Sequence, residues 1–277
     1  MRKNLFLICL AFLSLSACDN KQNKILKIAG STTVLPVISQ VSEHFRTANN
    51  MRVIVNAGGS GVGINQLGLG KIDIGMASRE ITEIEIKKYP NVHFMTHSIG
   101  KDAVVPVVSS EIYQAGIQAL TLEQIGQIYQ GKIKNWKILG GPDREILVID
   151  KETSRGTRHV FMQAVLGDKK AKAAGADLVL GSNNEEQTAI MQSNAAIGML
   201  SNAWLNKEVK GLAIKTTTGA TIEPTLENIS QGRFPITRDL FVLTNGEPKG
   251  NVKQFIDFIL TPEGQKIVVK AGYVAIQ

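Results

Sequence analysis

The chain has 277 residues, 43% of them hydrophobic, with a formal charge of +7 and a mean hydropathy near zero. That is mass enough for two packed bodies, while two cysteines exclude a disulfide framework and a cysteine-ligated metal centre. The positive charge favours the approach of anions, weakly and subject to salt screening. No basic run with interleaved aromatics points to nucleic acid.

At the N-terminus Arg2 and Lys3 precede the apolar run 5–15, and Leu15-Ser16-Ala17-Cys18 closes it. The run is too short to span a bilayer as a mature helix, and the charged flank and small residues before the cut closely resemble a bacterial lipoprotein signal. Residues 1–17 are therefore expected to be removed, Cys18 to be lipidated, and 18–24 to form a polar tether. The mature chain would be exported and held at the cell membrane by its lipid, facing the periplasm or the exterior. Loss of Arg2 and Lys3, with no acid, lowers the formal charge from +7 to +5 and leaves Cys18 as the one remaining thiol.

From there, residues 25–29 read as a strand that runs into Gly30-Ser31-Thr32-Thr33-Val34-Leu35-Pro36 and a helix with Val37, Val41 and Phe45 on one face. Residues 53–55 form a second strand, followed by Gly58-Gly59-Ser60-Gly61-Val62-Gly63 and a helix carrying Ile64, Leu67 and Leu69. The glycines allow close backbone approach and match a dinucleotide fingerprint only loosely, since its third glycine is Ile64 here. A third strand, 72–77, leads into Ser78-Arg79-Glu80. Strands alternating with helices predict a parallel α/β sheet, which binds ligands at the carboxyl ends of its strands.

His93 and His97 fall on an alternating pattern that separates them, so no metal is expected there. Residues 103–109 are apolar but contain Pro106, which favours an irregular or linking strand over a central one. Residues 122–129, 171–178 and 185–193 read as helices, 197–200 as a short buried strand, and 238–243 as a strand returning between the two bodies. Residues 252–269 read as helix interrupted at Thr261-Pro262-Glu263-Gly264.

Between these, the 146–149 strand runs through Thr153-Ser154-Arg155-Gly156-Thr157 into a helix with Val160, Phe161, Ala164 and Val165. It is the third strand-to-helix elbow with Ser or Thr at the helix start. Such a terminus offers unpaired N–H groups and the positive end of a helix dipole. A single Ser/Thr elbow is equally an ordinary cap; three of them, none followed by a Walker lysine, predict one small oxyanion held by backbone N–H groups and hydroxyls. Arg79 is either directed to the same place or a capping or surface arginine. A phosphate-handling enzyme would also need such a cradle, but metal-ligand spacing and a nucleophile elbow are lacking. The one histidine near an elbow, His159, reads as a first-turn surface residue.

The elbow segments, together with Asp73-Ile74-Gly75-Met76-Ala77-Ser78-Arg79, Gly131-Lys132-Ile133-Lys134-Asn135-Trp136, Gly140-Gly141-Pro142-Asp143 and Thr261-Pro262-Glu263-Gly264-Gln265 through Gly272-Tyr273, resemble in order the phosphate-binding lipoproteins of ABC phosphate importers. The resemblance implies a two-lobe type II periplasmic binding-protein fold of the α/β class, with mainly parallel sheets flanked by helices and two hinge-crossing strands. It puts 25–102 and 240–277 in lobe I and 103–239 in lobe II, with lobe closure over inorganic phosphate. Matched position by position, the ligand contacts fall on Thr32, Thr33, Ser60, Ser78, Arg79, Ser154, Arg155, Gly156 and Thr157. It further implies a monomer that works with permease subunits, without cofactor or catalysis. A sensor or adhesion protein on the same fold remains an alternative. Two positions depart from the family: some members carry aspartate where Arg79 stands, and an arginine is common where Lys151 stands. An arginine cannot accept the proton of phosphate, so a hydroxyl or a nearby carboxylate such as Glu80 is expected to do so.

Overall fold

The computed structural model describes residues 25–49 and 51–276; the expected signal segment, Cys18 and the tether lie outside them. The strands are β1 Leu26–Gly30, β2 Val53–Ala57, β3 Ile74–Ala77, β4 Phe94–Ser109, β5 Ala119–Thr121, β6 Leu147–Lys151, β7 Leu178–Leu180, β8 Ala196–Ser201, β9 Val209–Gly211, β10 Ala213–Lys215, β11 Thr221–Ile222 and β12 Thr237–Asn245. The helices are α1 Leu35–Asn49, α2 Ser60–Gly68, α3 Glu83–Lys88, α4 Ser110–Gln114, α5 Leu122–Tyr129, α6 Gly156–Leu166, α7 Asn183–Met191, α8 Leu226–Ser230, α9 Gly250–Leu260 and α10 Pro262–Lys270.

One sheet runs through the molecule in the order β2-β1-β3-β12-β4-β8-β6-β7, with β9 also on β4. Its two ends are parallel, β1 pairing with β2 and β3, and β6 with β7 and β8. The strands in the middle, β4 and β12, run antiparallel to each other and to β8 and β3, so the sheet is mixed. This is the α/β, type II arrangement with two crossing strands.

Hydrophobic burial divides along those strands. Ile99 on β4 and Leu240 on β12 belong to a first core with Ile28, Val37, Ile38 and Phe255. Ala103 on β4 and Ile236, just before β12, belong to a second core with Trp136, Phe161, Ile197 and Leu200. β4, at 16 residues, is long enough to serve both. Pro106 sits inside this strand, opposite Met199 of β8, so residues 103–109 belong to a linking strand. Its carbonyl accepts from Leu212 N (2.9 Å), and the proline has no N–H to return that bond to Leu212, which lies opposite it one residue beyond the β9 pairing at Val107. The strand tolerates the proline at the cost of that one donor.

The three expected elbows are β1 into α1, β2 into α2 and β6 into α6. The expected helix at 171–178 does not form: turns lead instead to β7. Gly175 N donates to Tyr129 O (2.9 Å), and a Cβ on Gly175 would lie 2.5 Å from Gly131 N. Asp177 Oδ2 takes the Val148 N–H (2.8 Å). Close packing and edge pairing override the helix propensity of an alanine-rich stretch.

Candidate functional site

β1 must end against β3 for the first elbow to form. A Cβ on Gly30 would lie 2.2 Å from Met76 O, and Ser31 N donates to that carbonyl at 2.9 Å. Ser31 is thereby set beside Ser78, to which its hydroxyl donates (3.0 Å), while accepting from Thr33 N (3.2 Å) and Val34 N (3.4 Å) at the entrance to α1. From the second elbow, Ser60 Oγ accepts from Ser78 N (3.0 Å) and lies 3.3 Å from Ser78 Oγ.

The third elbow comes from the other core and closes on the first two. A Cβ on Gly156 would lie 2.4 Å from Ser60 Oγ and 2.5 Å from Ser78 Oγ, so only glycine permits this approach. One residue on, Thr157 Oγ1 is 3.4 Å from Thr33 Oγ1. Gly61 N donates to Ser154 O (3.0 Å), a further bond between the halves. Ser31, Thr33, Ser60, Ser78 and Thr157 are all buried.

The cation of this cluster is Arg238 on β12. Its Nη1 donates to Ser78 O (3.0 Å) and Thr157 Oγ1 (3.2 Å), and Nη2 reaches Thr33 Oγ1 at 3.4 Å. Its other edge holds Asp102 of β4 through Nε (2.6 Å) and Nη2 (2.9 Å). Asn183 Nδ2 donates to Thr33 Oγ1 (3.1 Å). Tyr273, whose hydroxyl burial keeps protonated well above its ordinary range, donates to Thr33 O (2.7 Å). Clustered hydroxyls with one fixed guanidinium, between a helix start from each half, suit a small tetrahedral anion, because a buried charge is tolerable only where charge-assisted and neutral donors meet it.

Of the residues expected from sequence, Thr33, Ser60, Ser78, Gly156 and Thr157 come together here. Thr32 is half-buried in the same elbow, and Ser154 contributes its carbonyl. The two arginines are engaged elsewhere. Arg79 donates from Nη1 and Nη2 to the Glu85 carboxylate (2.9 and 2.7 Å) and from Nη1 to Glu80 O (2.8 Å). Arg155 Nε donates to Glu152 Oε2 (2.8 Å) and its side chain lies over Gly59. The Glu80 side chain is exposed. Lys151 is buried against Glu186; burial pushes the lysine pKa down and the glutamate pKa up. His159 is half-buried, lining a 610 Å³ cavity with Arg79 and Glu85. Burial, then the Arg79 charge, holds its pKa at about 4, so it is neutral at pH 7.

Ser31, Asp102, Asn183 and Arg238 were not singled out from the sequence. Their signals were present: a charged residue in the apolar 238–243 run, and an asparagine one place after a capping serine with glutamate three beyond it. Among the described residues no cluster could hold a metal ion, and no helix is long and apolar enough to cross a membrane.

The chain matches the model of the PBP superfamily domain over residues 16–263. It is 31% identical to the phosphate-binding protein PstS of Borreliella burgdorferi over 287 aligned positions, 100% of each chain. Among solved structures, one from Clostridium perfringens with bound phosphate, described as a phosphate ABC transporter substrate-binding protein, superposes with a TM-score of 0.80 at 31% identity, covering 92% of this chain and 100% of that one. An ABC-type phosphate transport receptor from Vibrio cholerae gives a TM-score of 0.72 at 30% identity, over 90% of this chain and 99% of that one. With this fold, these elbows and these relatives, the chain belongs to the PBP superfamily and, within it, to the family of the phosphate-binding proteins named PstS.

Proposed function

We propose that this chain captures inorganic phosphate in the hydroxyl and arginine cluster between its two cores and delivers it to the permease subunits of an ABC importer. The observation that carries this reading is the convergence of five buried hydroxyls and the Arg238 guanidinium from both sides of the crossing strands. The anion contacts are drawn from Thr32, Thr33, Ser60, Ser78, Gly156 and Thr157, joined by Ser31 and Arg238. The protein acts as a monomer and by binding alone, as the named relatives are binding proteins. Residues 25–102 with 240–277 form one lobe and 103–239 the other, and an anion touching both shifts the population toward the closed arrangement. The protein is exported and anchored through Cys18; mass spectrometry finding an unmodified Cys18 in the processed protein would contradict the anchor.

The cluster holds one carboxylate among the described residues, Asp102, and Arg238 engages both of its oxygens. An acceptor for the proton of phosphate is then a hydroxyl lone pair or a lone pair that Arg238 leaves free on Asp102. Calorimetric titration of the full chain with phosphate, sulfate, arsenate and tungstate tests the reading. Phosphate and arsenate should bind, with sulfate as a measurable competitor; a chain that takes up none of the four contradicts it.

A further inference from the structure

We infer that Asn183 is a positioning residue for the anion, acting through Thr33: it fills a lone pair of the Thr33 hydroxyl so that the hydroxyl hydrogen is left for the ligand. The inference rests on the reading of the cluster as a phosphate site and concerns a residue outside its three elbows.

A hydroxyl is a rotor with one hydrogen and two lone pairs, and it can present either to a neighbour. For an anion the two presentations have opposite sign. Thr33 Oγ1 has three polar neighbours: Asn183 Nδ2 at 3.1 Å, Arg238 Nη2 at 3.4 Å and Thr157 Oγ1 at 3.4 Å. The first two can only donate. With both lone pairs taken, the hydrogen points toward Thr157 and the cluster, and Thr157 Oγ1 itself accepts from Arg238 Nη1 (3.2 Å). The anion thus meets a hydroxyl already turned to donate, with no reorientation on binding.

Asn183 is suited to this because its surroundings hold it in place. It is 1% exposed and opens α7, whose start is fixed by a reciprocal cap: Ser182 Oγ accepts from Glu185 N (3.1 Å) and Glu185 Oε2 from Ser182 N (2.8 Å). Lys151 Nζ holds Ser182 O at 3.3 Å, and the next residue but two, Glu186, accepts from Met199 N (2.7 Å). α7 packs on β8, on the opposite side of the crossing strands from Thr33, so the Asn183 amide also spans the two halves.

A double-mutant cycle separates positioning from mere packing. Phosphate affinity of the full chain is measured for wild type, Asn183→Ala, Thr33→Val and the double variant, with melting temperature in the absence of phosphate as the control for folding. Asn183→Ala should weaken binding roughly five- to tenfold in the wild-type background and have no further effect when Thr33 is valine. Asn183→Asp has the same shape but can only accept; it should capture the Thr33 hydrogen and bind more weakly than Asn183→Ala. Equal fold losses from Asn183→Ala in both backgrounds, or wild-type affinity in Asn183→Asp, overturn the inference while leaving the phosphate reading intact. A wild type that binds no phosphate overturns both.

Discussion

Arg238 and Asp102 meet edge to edge between the two crossing strands, Nε to Oδ1 at 2.6 Å and Nη2 to Oδ2 at 2.9 Å, with the carboxylate fully buried and the arginine 9% exposed. The pair fixes the guanidinium plane so that its free edge faces Thr33, Thr157 and the Ser78 carbonyl. Charge and aim are supplied by different residues: Arg238 carries the positive charge and Asp102 determines where it points.

Replacing Arg238 by alanine should therefore do two separable things. Phosphate affinity should fall roughly ten- to a hundredfold, the cost of losing a hydrogen bond to a charged group. Stability should fall by about 3–5 kcal/mol, because Asp102 is left buried without its partner. Adding Asp102→Ala should recover much of the stability and none of the affinity. Calorimetry and denaturant melts on the single and double variants check both, and recovery of binding in the double variant would count against Arg238 as the anion's cation.

Arg79 is expected to behave differently. Its guanidinium closes the capping turn of α3, in which Thr82 N and Oγ1 also donate to Glu85 Oε2 (2.9 and 2.8 Å). Burial alone would raise the Glu85 pKa, but the Arg79 and Thr82 bonds outweigh it and hold the carboxyl at about 2, against an ordinary value of 4.5. The unfolded chain takes up this proton at higher pH than the folded one. The contribution is therefore complete above pH 4.5 and is lost as pH falls toward 2. Glu85→Gln should flatten the acid limb of the stability curve measured by urea denaturation. Arg79→Ala should lower stability while weakening phosphate less than Arg238→Ala does. A larger loss of affinity in Arg79→Ala would restore the role its sequence suggested.

Gly156→Ala isolates lobe contact from donor chemistry. The added methyl removes no donor, yet it would meet two hydroxyl oxygens at 2.4 and 2.5 Å, far inside contact distance, so the third elbow cannot approach the first two. Phosphate affinity should drop by at least about tenfold, and the scattering radius at saturating phosphate should stay larger than that of wild type. Wild-type affinity in this variant would mean that the elbows need not meet.

The elbows were legible in the sequence because each is local: an apolar β-branched run, a small hydroxyl-rich turn, then helical spacing. The resemblance, matched position by position, added Ser78 after β3 to Ser60, Gly156 and Thr157 of the elbows, and the structure brings these four together. The arginine was not legible in the same way. Arg79 follows β3, Arg155 stands in the third elbow and Arg238 stands on a strand far along the chain, but choosing among them requires knowing that Glu85 and Glu152 capture the first two. Those pairings depend on which way a side chain leaves a turn, which periodicity does not encode. Asn183 was hidden for a related reason, since its partner is 150 positions away. The helix expected at 171–178 failed where edge pairing to β6 outweighed alanine content.

Thr33 and Thr157 lie on opposite sides of the crossing strands with their hydroxyls 3.4 Å apart, and the proposed phosphate engages both. The most direct measurement is a phosphate titration of the full chain and of Thr33→Val and Thr157→Val, read by calorimetry for affinity and stoichiometry. One phosphate per chain in the wild type, with each variant weakened by roughly tenfold, is the expected result. A wild type that binds no phosphate, or two variants that bind it as tightly as wild type, would contradict a single oxyanion site shared by the two halves.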